Sequence, residues 1–310
     1  MKKIFIDGKA GTTGLRIYER LGARDDIEMI LLPEEARKDV AARKAALNEA
    51  DVAFLCLPDD AARESVSLVE NPNTVIIDTS TAHRTLPEFT YAFPELGPEW
   101  EENVKNSKRI AVPGCHASGF IALVYPLIQS GLLAKDARLT CHSITGYSGG
   151  GKKMIEQYEA EDADVLLGAP RQYGLTQQHK HLKEMKYITG LDSAPIFCPI
   201  VSDFYSGMVV TVPLFVQDLK EGTSIEDLKE LYRNRYQSDL VFYEEAPDEG
   251  GFLSGAAFSG KDSMQISVLG NEERILLVAR YDNLGKGASG AAVEALNLVL
   301  GCDKTLGLVL

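Results

Sequence analysis

The chain has no apolar run approaching the roughly 20 residues a membrane-spanning helix requires, so none of its 310 residues is expected to lie in a bilayer. The opening Met-Lys-Lys-Ile-Phe-Ile-Asp-Gly meets an aspartate at position 7. That is too early for the apolar core of a secretory signal, and the segment is expected to be a first strand. Positive charge is also short. A formal net charge of −13 excludes the basic footprint of a nucleic-acid binder, and any anionic ligand must be met by local positive groups. Cysteine is sparse: five residues, at 56, 115, 141, 198 and 302, with no Cys-x-x-Cys. An odd, scattered set excludes a disulfide framework and a structural zinc site, and it points to reduced thiols in the cytoplasm. There is no internal repeat, no low-complexity tract and no Pro/Ser-rich linker.

What remains is patterning. Up to residue 115, short β-branched runs alternate with helical stretches: strands at 2–7, 27–32, 52–57, 74–78 and 109–112, helices at 13–22, 40–49 and 61–70. Continuous apolar strands separated by helices indicate a parallel sheet covered on both faces. Beyond residue 115 an apolar helix is expected over 118–133. Strand-like segments follow at 139–146, 194–201, 207–216, 240–243, 264–269 and 274–281, with a helix over 224–235 whose N-cap is Ser224. The fold class is therefore α/β. Residues 1–115 are expected to form a doubly wound parallel sheet and residues 116–286 a mixed α+β domain. An apolar C-terminal helix within 287–310 is expected to return to the first domain.

Two turns carry chemistry. Gly8-Lys9-Ala10-Gly11-Thr12-Thr13-Gly14 follows the first strand and opens the first helix. Glycine allows the tight turn and lets backbone N–H groups and the helix dipole meet a pyrophosphate. The spacing is G-x-x-G-x-x-G rather than the commoner G-x-G-x-x-G; the alternative is a strand–helix turn that is merely glycine-rich. After the second strand come Glu34 and Arg37. The first suits the ribose hydroxyl of NAD and the second the extra phosphate of NADP, and the residues alone leave both open. The second turn is Val112-Pro113-Gly114-Cys115-His116-Ala117-Ser118-Gly119. It places Cys115 at the entry to an apolar helix, where the positive end favours a thiolate. The other four cysteines are read as small buried hydrophobes.

A thiolate nucleophile needs an acid/base partner. Of five histidines, His179 and His181 form a His-x-His pair in an extended segment. No acidic or cysteine ligand stands at metal-ligand spacing, so no metal is expected. His116 must point away from the thiol along the turn, His83 lies just beyond a strand's carboxyl end, and His142 is a structural strand residue. Gly146-Tyr147-Ser148-Gly149-Gly150-Gly151-Lys152-Lys153 is suited to a phosphate or is a surface loop. Asp282–Gly290 is a strand-to-helix turn unusually rich in glycine.

Taken in order, these blocks resemble the N-acetyl-gamma-glutamyl-phosphate reductases, in the shorter of that family's two forms, relatives of aspartate-semialdehyde dehydrogenase. The blocks are Gly8–Gly14, Asp78–Arg84, Pro113–Gly119, Ser143–Lys152 and Asp282–Gly290, with His179–Glu184 where the family carries its catalytic histidine region. The resemblance implies a Rossmann-type dinucleotide-binding domain over 1–115, a catalytic and dimerisation domain over 116–286, NADP(H), an acyl-phosphate substrate, arginine biosynthesis and a homodimer or homotetramer. It implies Cys115 as nucleophile and the His179/His181 pair as acid/base. Gly8, Gly11, Thr12, Thr13, Gly14, Arg37, Asn283 and Gly285 would contact the cofactor. Arg84, Ser148, Gly149 and Lys152 would contact the substrate. The alternatives are an acyl-phosphate reductase of the aspartate-semialdehyde dehydrogenase type, a cysteine acyltransferase or hydrolase without a nicotinamide, and a non-catalytic nucleotide sensor.

Overall fold

The computed structural model describes residues 1–310, which divide into two compact units. The first comprises Met1–Pro94, Pro98–Gly114 and Ala288–Leu308; the second comprises Glu95–Gly97, Cys115–Gly287 and Val309–Leu310.

In the first unit, β1 (Lys2–Asp7), α1 (Thr12–Leu21), β2 (Ile27–Ile30), α2 (Val40–Glu49), β3 (Val52–Leu55), α3 (Asp59–Ser67) and β4 (Val75–Asp78) alternate. They are followed by β5 (Thr90–Tyr91), α4 (Pro98–Asn106) and β6 (Arg109–Ala111). The sheet runs β2-β1-β3-β4-β6-β5 with every pair parallel. Side chains alternate between its faces. Ile4, Ile6, Val52 and Phe54 enter one core with Ile17, Leu21 and Leu296, whereas Phe5, Ala53 and Leu55 enter another with Leu47 and Ala62. Both faces are buried, so the strands read as unbroken apolar runs. The order reverses at β1, the switch point where such sheets bind ligands beyond their carboxyl ends.

The second unit holds α5 (Cys115–Gln129), β7 (Thr140–Gly146), α6 (Lys152–Tyr158), β8 (Arg171–Gln172), α7 (His181–Thr189), β9 (Ile196–Ser202), β10 (Met208–Phe215), α8 (Ile225–Arg235), β11 (Val241–Tyr243), β12 (Met264–Gly270) and β13 (Arg274–Tyr281). α9 (Gly290–Leu300) then belongs to the first unit, and a single π-helical turn, Gly285–Ser289, precedes it. The second sheet runs β11-β12-β13-β10-β7-β9-β8. It is mixed: β7–β9 and β11–β12 are parallel and the other pairs antiparallel. Ser224 caps α8 as expected, in a capping box with Asp227.

α5 is the spine of this unit. Its interior Pro126 has no N–H, so the carbonyl of Ala122 loses its helical partner. The Tyr236 hydroxyl donates to that carbonyl at 2.7 Å, and the Tyr232 hydroxyl donates to the adjacent carbonyl of Leu123. The helix starts at Cys115, three residues ahead of the expectation.

Candidate active site

In the first unit the turn after β1 is built on close approaches. Gly8 has φ +88°, and a Cβ there would stand 2.3 Å from the carbonyl oxygen of Cys56. A Cβ on Gly14 would stand 2.6 Å from the carbonyl oxygen of Gly8. Gly11 begins α1 as an N-cap without a side-chain cap, and Thr12, Thr13 and Gly14 form the first turn. That leaves the helix's leading N–H groups to an external acceptor. A cavity of about 840 Å³ opens beside this turn, lined by Asp7, Gly8, Lys9, Leu31, Leu32, Glu34, Glu35, Arg37, Lys38 and Arg43, among others. The cavity lies beyond the carboxyl ends of β1 and β2. Its mix of apolar wall, glycine turn and the cations Arg37 and Lys38 fits a phosphorylated dinucleotide. Arg37 lies 3.6 Å from Glu34. Asp7, at the root of the turn, is buried and accepts from Arg43 Nη2 at 3.0 Å and Ser65 Oγ at 2.8 Å.

Cys115 occupies the first position of α5 in the second unit. The Tyr281 hydroxyl accepts from the N–H of Gly119 at 3.0 Å and donates to the Cys115 carbonyl. It thus stands between the two groups that would form the helix's first i→i+4 bond. Only glycine suits position 119, since a Cβ would lie 2.7 Å from that hydroxyl and 2.8 Å from Val210. From the other side, a Cβ on Gly287 would stand 3.1 Å from the Cβ of Cys115. The backbone of Cys115 is therefore held by a tyrosine and packed against a glycine. All five cysteines are thiols; burial pushes Cys56 up to about 12 and Cys141 higher still, as suits inert core residues.

His116 turns into the unit and meets both histidines of the His-x-His pair, with ring centroids 5.7 Å from His179 and 5.6 Å from His181. The sequence alone pointed it away from the thiol but did not reveal this cluster. Its Nδ1 lies 2.6 Å from Ser143 Oγ and its Nε2 2.6 Å from the Tyr173 hydroxyl. Burial first, and then His179, lowers His116 to about 3. Burial and then Lys180 lower His179 to about 4. The Tyr173 phenol is pushed above its ordinary value by burial and then by the charge of Cys115, which ties the cysteine electrostatically to this cluster. The His-x-His segment is not extended: Lys180 is α-helical and His181 opens α7. The rings of His179 and His181 pack edge to face at 4.7 Å. The His181 N–H donates to His179 Nδ1 at 3.2 Å, which leaves the proton of a neutral His179 on Nε2. Upstream, Gln177 has φ 55°, and its side-chain amide bonds both backbone groups of Phe197, at 2.8 and 2.9 Å. That pairing holds an uncommon left-handed turn just ahead of His179. No group of three metal-ligating side chains is arranged to hold a metal ion.

The remaining expected residues fall into distinct settings. Arg84 is buried, with Nε donating to Val112 O at 2.8 Å and Nη2 to Thr79 O at 2.9 Å, and so fastens the ends of β4 and β6. His83 pairs with buried Asp78 at 2.6 Å and stacks on Phe89. His142 lies on the exposed face of β7. Asn283 donates to Ser148 Oγ at 3.0 Å and accepts from the Gly207 N–H at 2.9 Å, stitching three loops together. Gly149 and Lys152 are exposed beside them. Gly285 is required by crowding, because a Cβ would meet the Lys261 carbonyl at 2.0 Å. Neighbouring Lys286 is buried and bonds both carboxylate oxygens of Glu95 at 2.9 Å. Tyr173, Tyr281 and Glu95 escaped the sequence reading because none stands in a recognisable motif.

The comparisons agree with this layout. The family model described as semialdehyde dehydrogenase, NAD binding domain, matches residues 33–104. The one described as semialdehyde dehydrogenase, dimerisation domain, matches residues 115–283. Among solved structures, aspartate semialdehyde dehydrogenase II from Vibrio cholerae shares the fold at a TM-score of 0.74 and 17% identity, over 97% of this chain and 99% of that one. The enzyme of that name with NADP from Candida albicans gives 0.65 at 15% identity, covering 99% of each chain. The class is thus a semialdehyde dehydrogenase-type oxidoreductase. N-acetyl-gamma-glutamyl-phosphate reductase 2 of Nostoc sp. is 45% identical over 99% of both chains. The reductase of Rhizobium meliloti is 43% identical over 96% of this chain and 98% of its own. The chain belongs to the N-acetyl-gamma-glutamyl-phosphate reductases.

Proposed function

We infer that the protein is a cytoplasmic, NADPH-dependent reductase that converts N-acetyl-glutamyl 5-phosphate to the 5-semialdehyde and phosphate, a step of arginine biosynthesis. The observation that carries this reading is the 45% identity to a reductase of that name over 99% of both chains. The Cys115 Sγ attacks the acyl carbon, the carbon–oxygen bond to phosphate breaks, and a thioester forms on the cysteine. Backbone N–H groups in the first turn of α5 stabilise the oxyanion that develops on the acyl oxygen. The Gly8–Gly14 turn and Arg37 would hold NADPH, which when bound would supply the hydride that reduces the acyl group. Cys115 then leaves as thiolate and the carbonyl of the aldehyde forms. The His179/His181 pair moves the protons of these steps. Ser148, Gly149 and Lys152 line the substrate's approach. The exposed face of the second sheet is the surface on which a second copy of the chain docks, giving a homodimer or a tetramer of two such dimers.

The test is run in reverse. N-acetylglutamate semialdehyde is expected to drive phosphate-dependent NADP reduction, with aspartate semialdehyde much poorer; the opposite ranking would move the assignment to the aspartate-semialdehyde dehydrogenases. Cys115→Ser is expected to keep NADPH binding and lose turnover by at least about 1,000-fold. Near-wild-type turnover in that variant would end the covalent mechanism.

A further inference from the structure

Lysine and glutamate are almost never fully buried unless paired. Lys286 and Glu95 form such a pair in the second unit. Their side chains are 3% and 5% exposed, and the lysine Nζ donates to both carboxylate oxygens at 2.9 Å. A buried pair regains in attraction little more than it loses in desolvation, so stability alone does not explain it. The chain also makes a detour to form it. It leaves the first unit after Pro94, contributes Glu95–Gly97 to the second and re-enters the first at Pro98. Within that detour Glu95 meets a lysine 191 residues away, and the Leu96 carbonyl accepts from Arg235 Nη1.

Lys286 lies inside the π-helical turn Gly285–Ser289. The Asp282 carbonyl accepts from the N–H of Gly285 at 3.1 Å and from that of Gly287 at 3.0 Å. The second bond has the i→i+5 spacing of a π-turn, a form met mostly at functional sites. The buried Asp282 carboxylate accepts from the Leu284 N–H at 2.7 Å and from Ser206 Oγ at 3.0 Å. Asp282 thus anchors the start of the turn, and the ion pair anchors its middle. The residue this turn delivers is Gly287. A Cβ there would stand 3.1 Å from the Cβ of Cys115 and 3.3 Å from its Cα. Lys286 is the adjacent residue, so its tether to Glu95 fixes where that backbone lies.

Resting on the covalent role inferred above for Cys115, we propose that Glu95 and Lys286 are positioning residues for it. Their ion pair locks the π-turn, and the turn seats Gly287 against Cys115. That backing fixes the direction of the Sγ for attack on the acyl carbon. Neither side chain touches the substrate in this role. A displacement of about 1 Å in such a support is enough to cost about 100-fold in rate.

The test replaces the pair by apolar side chains of similar size, Glu95→Leu with Lys286→Met, because such a swap of a buried ion pair is often neutral in stability. Removing one partner alone would strand a buried charge and mix the two effects. The double variant is expected to keep its Tm and its NADPH affinity. In the reverse reaction its kcat should fall by about 10- to 100-fold, while KM for the semialdehyde moves less than about threefold. Iodoacetamide alkylation of Cys115, followed against pH, should reach a lower plateau with its midpoint in place, since the pair removed carries no net charge. Lys286→Arg, which keeps two donors for Glu95, should recover most of kcat. Wild-type kcat in the double variant would overturn the proposal. So would a loss of kcat matched by losses of Tm and NADPH binding, the mark of a purely structural pair. A displaced alkylation midpoint would overturn it in favour of an electrostatic action on the thiol. Wild type without turnover of N-acetylglutamate semialdehyde would refute the inferred activity, while alkylation would still decide whether the pair governs Cys115.

Discussion

The three imidazoles of the second unit differ in what holds them. Both ring nitrogens of His116 are engaged, by Ser143 and Tyr173, so this ring braces the cluster. His179 keeps a defined tautomer through the His181 N–H. Burial lowers His116 to about 3 and His179 to about 4, against an ordinary 6.5. As pH falls through 6.5, the unfolded chain therefore takes up protons that the folded chain refuses, and stability declines from there down to about 3. At neutral pH both rings are uncharged. Thermal melts are expected to change little from pH 8 to 7 and to fall steadily between 6.5 and 4.5. His116→Asn should lower stability at pH 8 yet flatten the acid slope by about one bound proton. An unchanged slope would place the acid sensitivity on other groups.

The element that decides the chemistry is α5, which relies on tyrosines at both ends of its apolar run. Tyr236→Phe leaves the Ala122 carbonyl without a partner beside Pro126, and is expected to cost about 1–2 kcal/mol in denaturant unfolding with activity intact. Tyr281→Phe should cost a similar amount, but the group it releases is the carbonyl of Cys115 itself. Iodoacetamide alkylation of Cys115 and kcat should then fall together, whereas equal alkylation rates in the two variants would deny Tyr281 any hold on the nucleophile. Tyr281 also explains why the start of this helix was illegible. The hydroxyl that completes its first turn lies 166 residues away in the chain, and no local pattern reports it. By contrast β1, β3 and β4 were plain to read, because burial on both faces leaves only apolar residues. β5 and β8 are two residues each and have no periodicity to detect. The entry of Cys115 into an apolar helix and the tight glycine turn were legible because each depends on local backbone. Tyr173 and the convergence of His116 with His179 and His181 depend on strand pairing, which a motif does not encode. The His-x-His spacing itself suggested an extended segment, but the left-handed Gln177 and the start of α7 reshape it.

At the scale of the whole molecule the two sheets contrast. The first is buried on both faces, while the second buries one and presents the other. On the open face Ile144 is 38% exposed, Ile196 61%, Phe215 53% and Leu276 43%. The register sets Ile196 level with Thr140 on β7 and Leu276 level with Pro213 on β10, with Phe215 two residues along the same face, while Ile144 lies four residues further along β7. A run of exposed apolar residues across four adjacent strands is unusual on a surface that stays solvated. On a chain with a net charge of −13 it is also the surface least opposed by like-charge repulsion when two copies meet. The proposed dimer would bury this face. Leu276→Asp with Phe215→Asp introduces charge at already exposed positions, so each protomer should fold with its Tm little changed. Sedimentation equilibrium is expected to show the wild type at twice the chain mass or more, and the double variant shifted to a single chain with Kd raised at least about 100-fold. Both proteins should still bind NADPH, since the dinucleotide cavity is lined wholly by the first unit. A double variant that assembles as tightly as wild type would rule this face out as the contact, whatever the oligomer's size.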